Sequence, residues 1–305
     1  MITRRALFLL VSANVLGGSA YAFAGYALKA FSPLELVFWR TLLASVLFLP
    51  FLFLARPLKF TREEWARMAF VGVFGYAAPL LIGNIGQKLS SATNASLLIG
   101  TEPVAIVLLS AVFLREPLTL LKIIAIAGGV TGAAFIVCQG IPFVNVSIAP
   151  HWRGDLLLLL HGILWALYSI VGKPVLRRVD PMIFTAITTL FGLAAMSLML
   201  LPTMGAPRVG SSSFIAVASL VYLGLGVSFL GTIVWNKGLE LVPASLLANF
   251  IFLQPLVGVI LGVGLHRDRF TLWSAAGGVL ILAGVYFAAK NSESSRSLDL
   301  NSSGC

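Results

Sequence analysis

Apolar residues run through this chain in long blocks separated by short polar or turn-forming interruptions. Read block by block, the pattern predicts ten helices, at 6–28, 34–54, 66–86, 92–114, 120–139, 153–173, 181–201, 213–235, 242–264 and 270–289. Each holds about 20 residues, the length an α-helix needs to cross the hydrocarbon core of a bilayer. The longest interruption, Gln139 to Arg153, contains Pro142, Asn145, Ser147 and Pro150 and divides the chain almost equally. Asn291 to Cys305 is rich in Ser and Asn with little to bury, so a disordered polar tail is expected there. The expected organisation is a five-helix unit over 1–140, a connecting loop over 141–152, a second five-helix unit over 153–290 and the tail over 291–305. Arg4-Arg5, an apolar stretch and Ala20-Tyr21-Ala22 imitate a cleavable signal peptide, but the apolar pattern continues to Leu28, so the segment is read as the first span.

Comparing the chain with itself exposes a repeat. At an offset of 152 residues, without gaps, Gly72 falls on Gly224, Asn84 on Asn236, Gly86 on Gly238, Leu89 on Leu241, Ala92 on Ala244, Pro103 on Pro255, Arg115 on Arg267, Glu116 on Asp268 and Gly132 on Gly284. Nearer the N-terminus the offset becomes 148, where Leu28-Lys29 faces Leu176-Arg177 and Pro33 faces Pro181. A duplicated five-helix unit accounts for both registers. Because each unit has an odd number of spans, the second enters the membrane from the opposite side, and the repeats are expected to be inverted.

Composition and charge sharpen this picture. The chain has 59% hydrophobic and 10% charged residues among 305, far from the balance of an ordinary soluble domain. Its fold class is therefore all-α integral membrane, ten transmembrane helices as two inverted five-helix repeats, with the lipid bilayer as its main partner. The net charge of +10 does not indicate nucleic acid, because Lys and Arg sit in small groups between apolar runs rather than along one face. With the N-terminus inside, 14 of the 21 Lys and Arg residues lie on the cytoplasmic side, the stretch Arg56 to Arg67 dominating, so both termini are expected in the cytoplasm. Cys138 and Cys305 have no pairing or metal spacing.

Candidate chemistry lies at membrane depth. Glu102 sits near the centre of the fourth span, where an ionised carboxylate costs on the order of 2.5–3.5 kcal/mol on insertion scales. Two readings stand: a proton-titrating or cation-binding group facing a cavity, or a protonated or arginine-paired acid that only orders the bundle. Arg40 is the candidate ion-pair partner, with Glu35 as a competitor and an interfacial anchor as its plainer role. Gln254, the repeat mate of Glu102, is neutral, so a charge-dependent role would belong to one half. Pro103 and Pro255 interrupt matched mid-membrane positions and read as hinges or as static kinks. Asn14, Tyr76, Asn84, Asn94, Glu102, Trp165, Tyr168, Trp235, Asn249 and Gln254 form the candidate solute-binding set, part of which is expected to make ordinary interhelical hydrogen bonds. His161 reads more readily as a satisfied structural histidine. Gly128-x3-Gly132 and Gly258-x3-Gly262 allow close helix approach, within the chain or across a homodimer.

Several of these segments, in order and twice, resemble the drug/metabolite transporter superfamily and within it the EamA-like exporters. The similarity runs from Ser91-Ala92 through Glu102-Pro103 to Leu114-Arg115-Glu116-Pro117-Leu118-Thr119, and again from Val242-Pro243-Ala244-Ser245 through Gln254-Pro255 to Asp268-Arg269-Phe270-Thr271. Phe38-Trp39-Arg40, Trp165-Ala166-Leu167-Tyr168 and Asp180-Pro181 add to it. His266-Arg267-Asp268-Arg269 departs from the family, in which a Gly-Glu pair commonly precedes the last helix; Asp268 is the candidate substitute. The resemblance implies a secondary transporter that exports small metabolites, amino acids or amphipathic compounds across the cytoplasmic membrane by alternating access. Its site would be formed by the third, fourth, eighth and ninth spans with parts of the first and sixth. No cofactor or metal is implied, protons are a possible coupling partner, and neither coupling nor direction follows from the residues. An enzyme would need a nucleophile with its base or a metal cluster, and the chain has no GxSxG, no HExxH and only three scattered histidines. A non-transporting scaffold or partner subunit is the remaining alternative, disfavoured by short loops.

Overall fold

Proline and a capping side chain open two helices 148 positions apart. At the start of the second helix, Glu35 N–H donates to Ser32 Oγ while Ser32 N–H donates to Glu35 Oε2, a reciprocal cap beside Pro33. At its repeat mate, Asp180 Oδ1 accepts from the N–H groups of Met182 and Ile183, and Pro181 fills the first turn, where its missing N–H costs nothing.

The computed structural model describes residues 4–54, 59–113, 120–138, 151–203, 213–241, 250–251, 253–266, 268 and 270–283. Among them are the helices α1 (Arg4–Ala27), α2 (Pro33–Leu54), α3 (Arg62–Phe70), α4 (Ala78–Leu89), α5 (Ala92–Leu98), α6 (Glu102–Phe113), α7 (Leu120–Cys138), α8 (Trp152–Leu176), α9 (Pro181–Leu200), α10 (Phe214–Tyr222), α11 (Thr232–Leu241) and α12 (Leu253–Leu261). A further helix, α13, covers Leu272–Ala283. No strand occurs among the described residues. Six continuous helical segments are long and apolar enough to cross a membrane: Ala6–Ala27, Pro33–Leu54, Arg62–Leu89, Trp152–Leu176, Pro181–Leu200 and Phe214–Leu241. Shorter apolar helices accompany them, and the expected disordered tail lies outside the described residues.

The burial pattern is that of a protein dissolved in lipid. Phe53, Phe214 and Leu272 are more than four-fifths exposed, while Asn14, Arg40, Asn84, Glu102, His161 and Asn236 are buried. Apolar side chains thus face outward along the helices, and polar groups turn inward, where partners or a wet cavity can satisfy them.

Two of the long segments change their winding at matched positions. Val71–Ala77, between α3 and α4, and Leu223–Gly231, between α10 and α11, are both π-helical and begin 152 residues apart. Each presses a glycine onto another helix. A side chain at Gly72 would collide with the Thr188 carbonyl and Phe191 of α9; one at Gly224 would collide with Leu43 of α2, close to the Arg40 carbonyl. Arg40 and Leu43 stand 148 positions before Thr188 and Phe191, so the two contacts use corresponding residues.

The predicted fourth span is not one helix. A 3-10 turn at Ile99–Thr101 separates α5 from α6, and Pro103 sits in the first turn of α6. In the ninth span Pro255 occupies the first turn of α12, which begins at Leu253. Proline inside a helix removes a backbone bond, so both stand at a helix start, where that loss is least.

Candidate functional site

α4 packs along α8, and α1 along α12 and α11. Gly83 allows the His161 ring to lie against α4, Gly86 and Gly154 bring α4 and α8 nearly into backbone contact, and Gly18 does the same for α1 and α12. Between these groups lies a cavity, part of it continuous with the outside.

Both charged candidates reach this cavity. Arg40, from α2, is 4% exposed, and its Nε–H donates to Ser228 Oγ at 2.9 Å, which fixes the plane of the guanidinium. Ser228 belongs to the π-helical segment, so the wide turn there supplies the acceptor. Glu102 stands in the first turn of α6, directly after the break, and is 3% exposed. Its carboxylate has no hydrogen-bond partner among the described residues and lines the cavity. Arg40 and Glu102 share the cavity without forming an ion pair among the described residues.

Polar and aromatic groups complete the lining. Gln254 Nε2–H donates to Asn14 Oδ1 at 2.9 Å, and Asn14 is held in turn by its own bond to the Leu10 carbonyl. Asn14 is therefore a support for Gln254 and is not itself part of the lining. Asn84 donates to Leu80 O at 2.6 Å and lies on the wall. Trp165 is central to an aromatic group, with Tyr76 and His161 each at 6.2 Å and Tyr168 at 5.3 Å between ring centroids, all tilted or edge-on. Tyr76 Oη and Trp235 Nε1 are buried without a hydrogen-bond partner among the described residues. Buried donors in that condition cost stability, so each marks a place where a polar occupant is useful.

Of the sequence candidates, Tyr76, Asn84, Glu102, Trp165, Trp235 and Gln254 line the cavity, and Arg40 joins them. Tyr168 stands behind Trp165, with its hydroxyl accepting from Asn236 Nδ2 at 2.7 Å. Asn94 lies elsewhere, its Nδ2 3.4 Å from Asp155 Oδ1 near the start of α8. Asn249 lies outside the described residues. Sequence reading did not single out Tyr21, Gln87, Ser228 or Thr232, all of which line the cavity. Gln87 links α4 to α1 through the Tyr21 carbonyl at 2.5 Å, and its mate at the 152 offset is Leu239, so the repeat carried no signal for it. His161 also lines the cavity, yet its Nδ1 meets the Pro79 carbonyl at 2.7 Å; a carbonyl can only accept, so Nδ1 carries the proton and holds α8 to α4. Of the glycines with dimer spacing, three make contacts within the chain: Gly132 faces Gly277, Gly258 faces Ser96 and Gly262 faces Thr93.

Comparison with known proteins agrees with this architecture. A "Probable terminal-alkyne amino-acid exporter" of Streptantibioticus cattleyicolor is 30% identical to this chain over 92% of each protein. An "Uncharacterized transporter" of Archaeoglobus fulgidus is 26% identical, covering 90% of this chain and 94% of the relative. A protein of known crystal structure, 21% identical, superposes with a TM-score of 0.65 over 94% of this chain and 99% of its own, a likeness of fold. The model of the EamA-like transporter family matches twice, over residues 4–138 and 152–289. A membrane-length helical bundle with a cavity at its heart, matched by that family over nearly its whole length, belongs to the EamA-like transporter family.

Proposed function

We propose that this protein is a secondary transporter that exports small metabolites, amino acids or amphipathic compounds across the cytoplasmic membrane by alternating access. The observation that carries this reading is the cavity, whose walls come from both halves of the chain: Arg40, Tyr76, Asn84 and Glu102 from the first, Trp165, Ser228, Trp235 and Gln254 from the second. In this reading ten spans form two inverted five-helix repeats that rock about the cavity. The corresponding contacts of Gly72 on α9 and Gly224 on α2 support it, because inverted halves would bury each other through equivalent residues. The excess of Lys and Arg in the loops assigned to the inside supports cytoplasmic termini. The name of the Streptantibioticus relative supports amino acids among the solutes.

Within the cavity, Arg40 offers a planar cation to an anionic group of the solute, and the aromatic wall around Trp165 accepts an apolar part. Glu102 is the group that takes up and releases a proton as the site is exposed to one side and then the other. The break before Glu102 supplies the movement, since α5 and α6 are separate helices.

Solute flux in proteoliposomes tests the proposal, with wild type and Glu102→Gln challenged by a mixed panel of amino acids and metabolites, with and without an imposed pH gradient. The expected result is wild-type flux that follows the gradient and loses that dependence in Glu102→Gln. Flux indifferent to the gradient in both proteins would remove the proton role and leave a facilitator. No flux for any solute would favour a scaffold in place of a transporter.

A further inference from the structure

Asp268, which follows the ninth span, crosses to the fourth. Its Oδ2 accepts from the backbone N–H of Thr93 and from Thr93 Oγ1, both at 2.9 Å. Thr93 lies in the first turn of α5, whose leading N–H groups have no partner within the helix. Two residues earlier, His266 Nε2–H donates to the Ala22 carbonyl at 2.7 Å, and its ring lies 4.3 Å from that of Tyr26. The segment is thus anchored to α1 by His266 and reaches across to α5 through Asp268. Around this contact α12 and the π-helical turn Gly262–His266 meet α5 through glycine, Gly258 on Ser96 and Gly262 on Thr93. Small residues let these helices approach closely.

We propose that the Asp268–Thr93 contact is a latch that parts and re-forms in each transport cycle, and that Asp268 thereby positions the first half of the broken fourth span. The inference rests on the alternating-access reading. Gln254 of α12 and Ile99, in the turn that follows α5, both line the cavity, so the latch joins two neighbouring elements of one wall of the site. α5 is seven residues long and hinges on the turn at Ile99–Thr101, which ends at Glu102, so displacement of α5 is delivered to that carboxylate. The residue types recur in the sequence at the 152 offset, Ser245 for Thr93 and Glu116 for Asp268.

Distances between spin labels on Lys88→Cys and Leu272→Cys, both exposed and flanking the latch, test it in a Cys138→Ala, Cys305→Ala background. Short and long separations are expected in the otherwise wild-type chain. Asp268→Ala should raise the long-to-short ratio about tenfold, the effect of losing a bond to a charged acceptor, and Asp268→Glu should restore it. An identical distance distribution in Asp268→Ala and wild type would mean a static helix cap and would overturn the latch. Should Asp268→Ala fail to fold, Asp268→Asn keeps the size and drops the charge; a smaller shift in the same direction is expected, and no shift overturns the proposal. The measurement needs no solute, so an unchanged distribution counts against the latch alone, and absent flux counts against the transport reading alone.

Discussion

Asn236 Nδ2 donates at 2.7 Å both to the Tyr168 hydroxyl and to Thr185 Oγ1, so one fully buried amide ties α11 to α8 and α9. Its repeat mate, Asn84, among the described residues bonds only within its own helix, to Leu80, and faces the cavity. Identical residues at matched positions therefore differ in use.

Asn236→Leu should lower stability by about 1 kcal/mol, two interhelical bonds at the roughly 0.6 kcal/mol average for membrane bundles. Asn84→Ala should leave stability nearly unchanged and reduce flux. Thermal unfolding in detergent, beside proteoliposome flux, separates the two; equal destabilisation would mean that Asn84 is also structural.

Gly72→Ala should destabilise more than Gly224→Ala. The new methyl group at Gly72 collides most closely with the Thr188 backbone carbonyl and lies 2.6 Å from Phe191 Cβ, whereas at Gly224 the nearest atoms, Leu43 Cβ and Cδ1, are 2.9 Å away. Overpacking of this kind costs about 1–3 kcal/mol, and the midpoint of thermal unfolding reads the difference. The reverse order would mean that α2 is the more rigid surface.

Ser228→Ala should free the Arg40 guanidinium and weaken transport of anionic or zwitterionic solutes by about threefold to tenfold, as loss of one hydrogen bond to a charged group implies. Ser228→Thr keeps the hydroxyl and should retain activity. The effect is expected in the half-saturating solute concentration rather than in protein yield.

Trp235→Phe removes a buried N–H that has no partner among the described residues. Stability should be unchanged or slightly higher, because no bond is lost. If Nε1 serves the solute, flux falls about tenfold at unchanged unfolding temperature. Unchanged flux would make Trp235 a wall and nothing more.

The six continuous membrane-length helices were legible in the sequence, the largest end error being six residues at Leu241, because long apolar blocks have few alternatives in lipid. The main departure was the fourth span. Hydropathy is blind to winding, so the 3-10 turn before Glu102 and the π-helical turns of the third and eighth segments left no mark in the pattern of apolar positions. Pro103 hinted at the first, and the matched glycines Gly72 and Gly224 at the others, yet neither signal states which helix is approached.

By itself, then, the sequence determined that the chain is helical, lives in a membrane, is duplicated, and carries charge at depth. Each of these follows from local composition or from the comparison of one segment with another. The tertiary structure decided which polar residues share a cavity: that Arg40 turns to Ser228 rather than to Glu102, that Asn14 supports Gln254, and that Tyr168 and Asn94 stand away from the lining. A membrane helix presents polar groups inward for two opposite reasons, to bond a neighbour or to meet an occupant. Only the packing of several helices at once settles which hydrogen-bonding partner comes within reach.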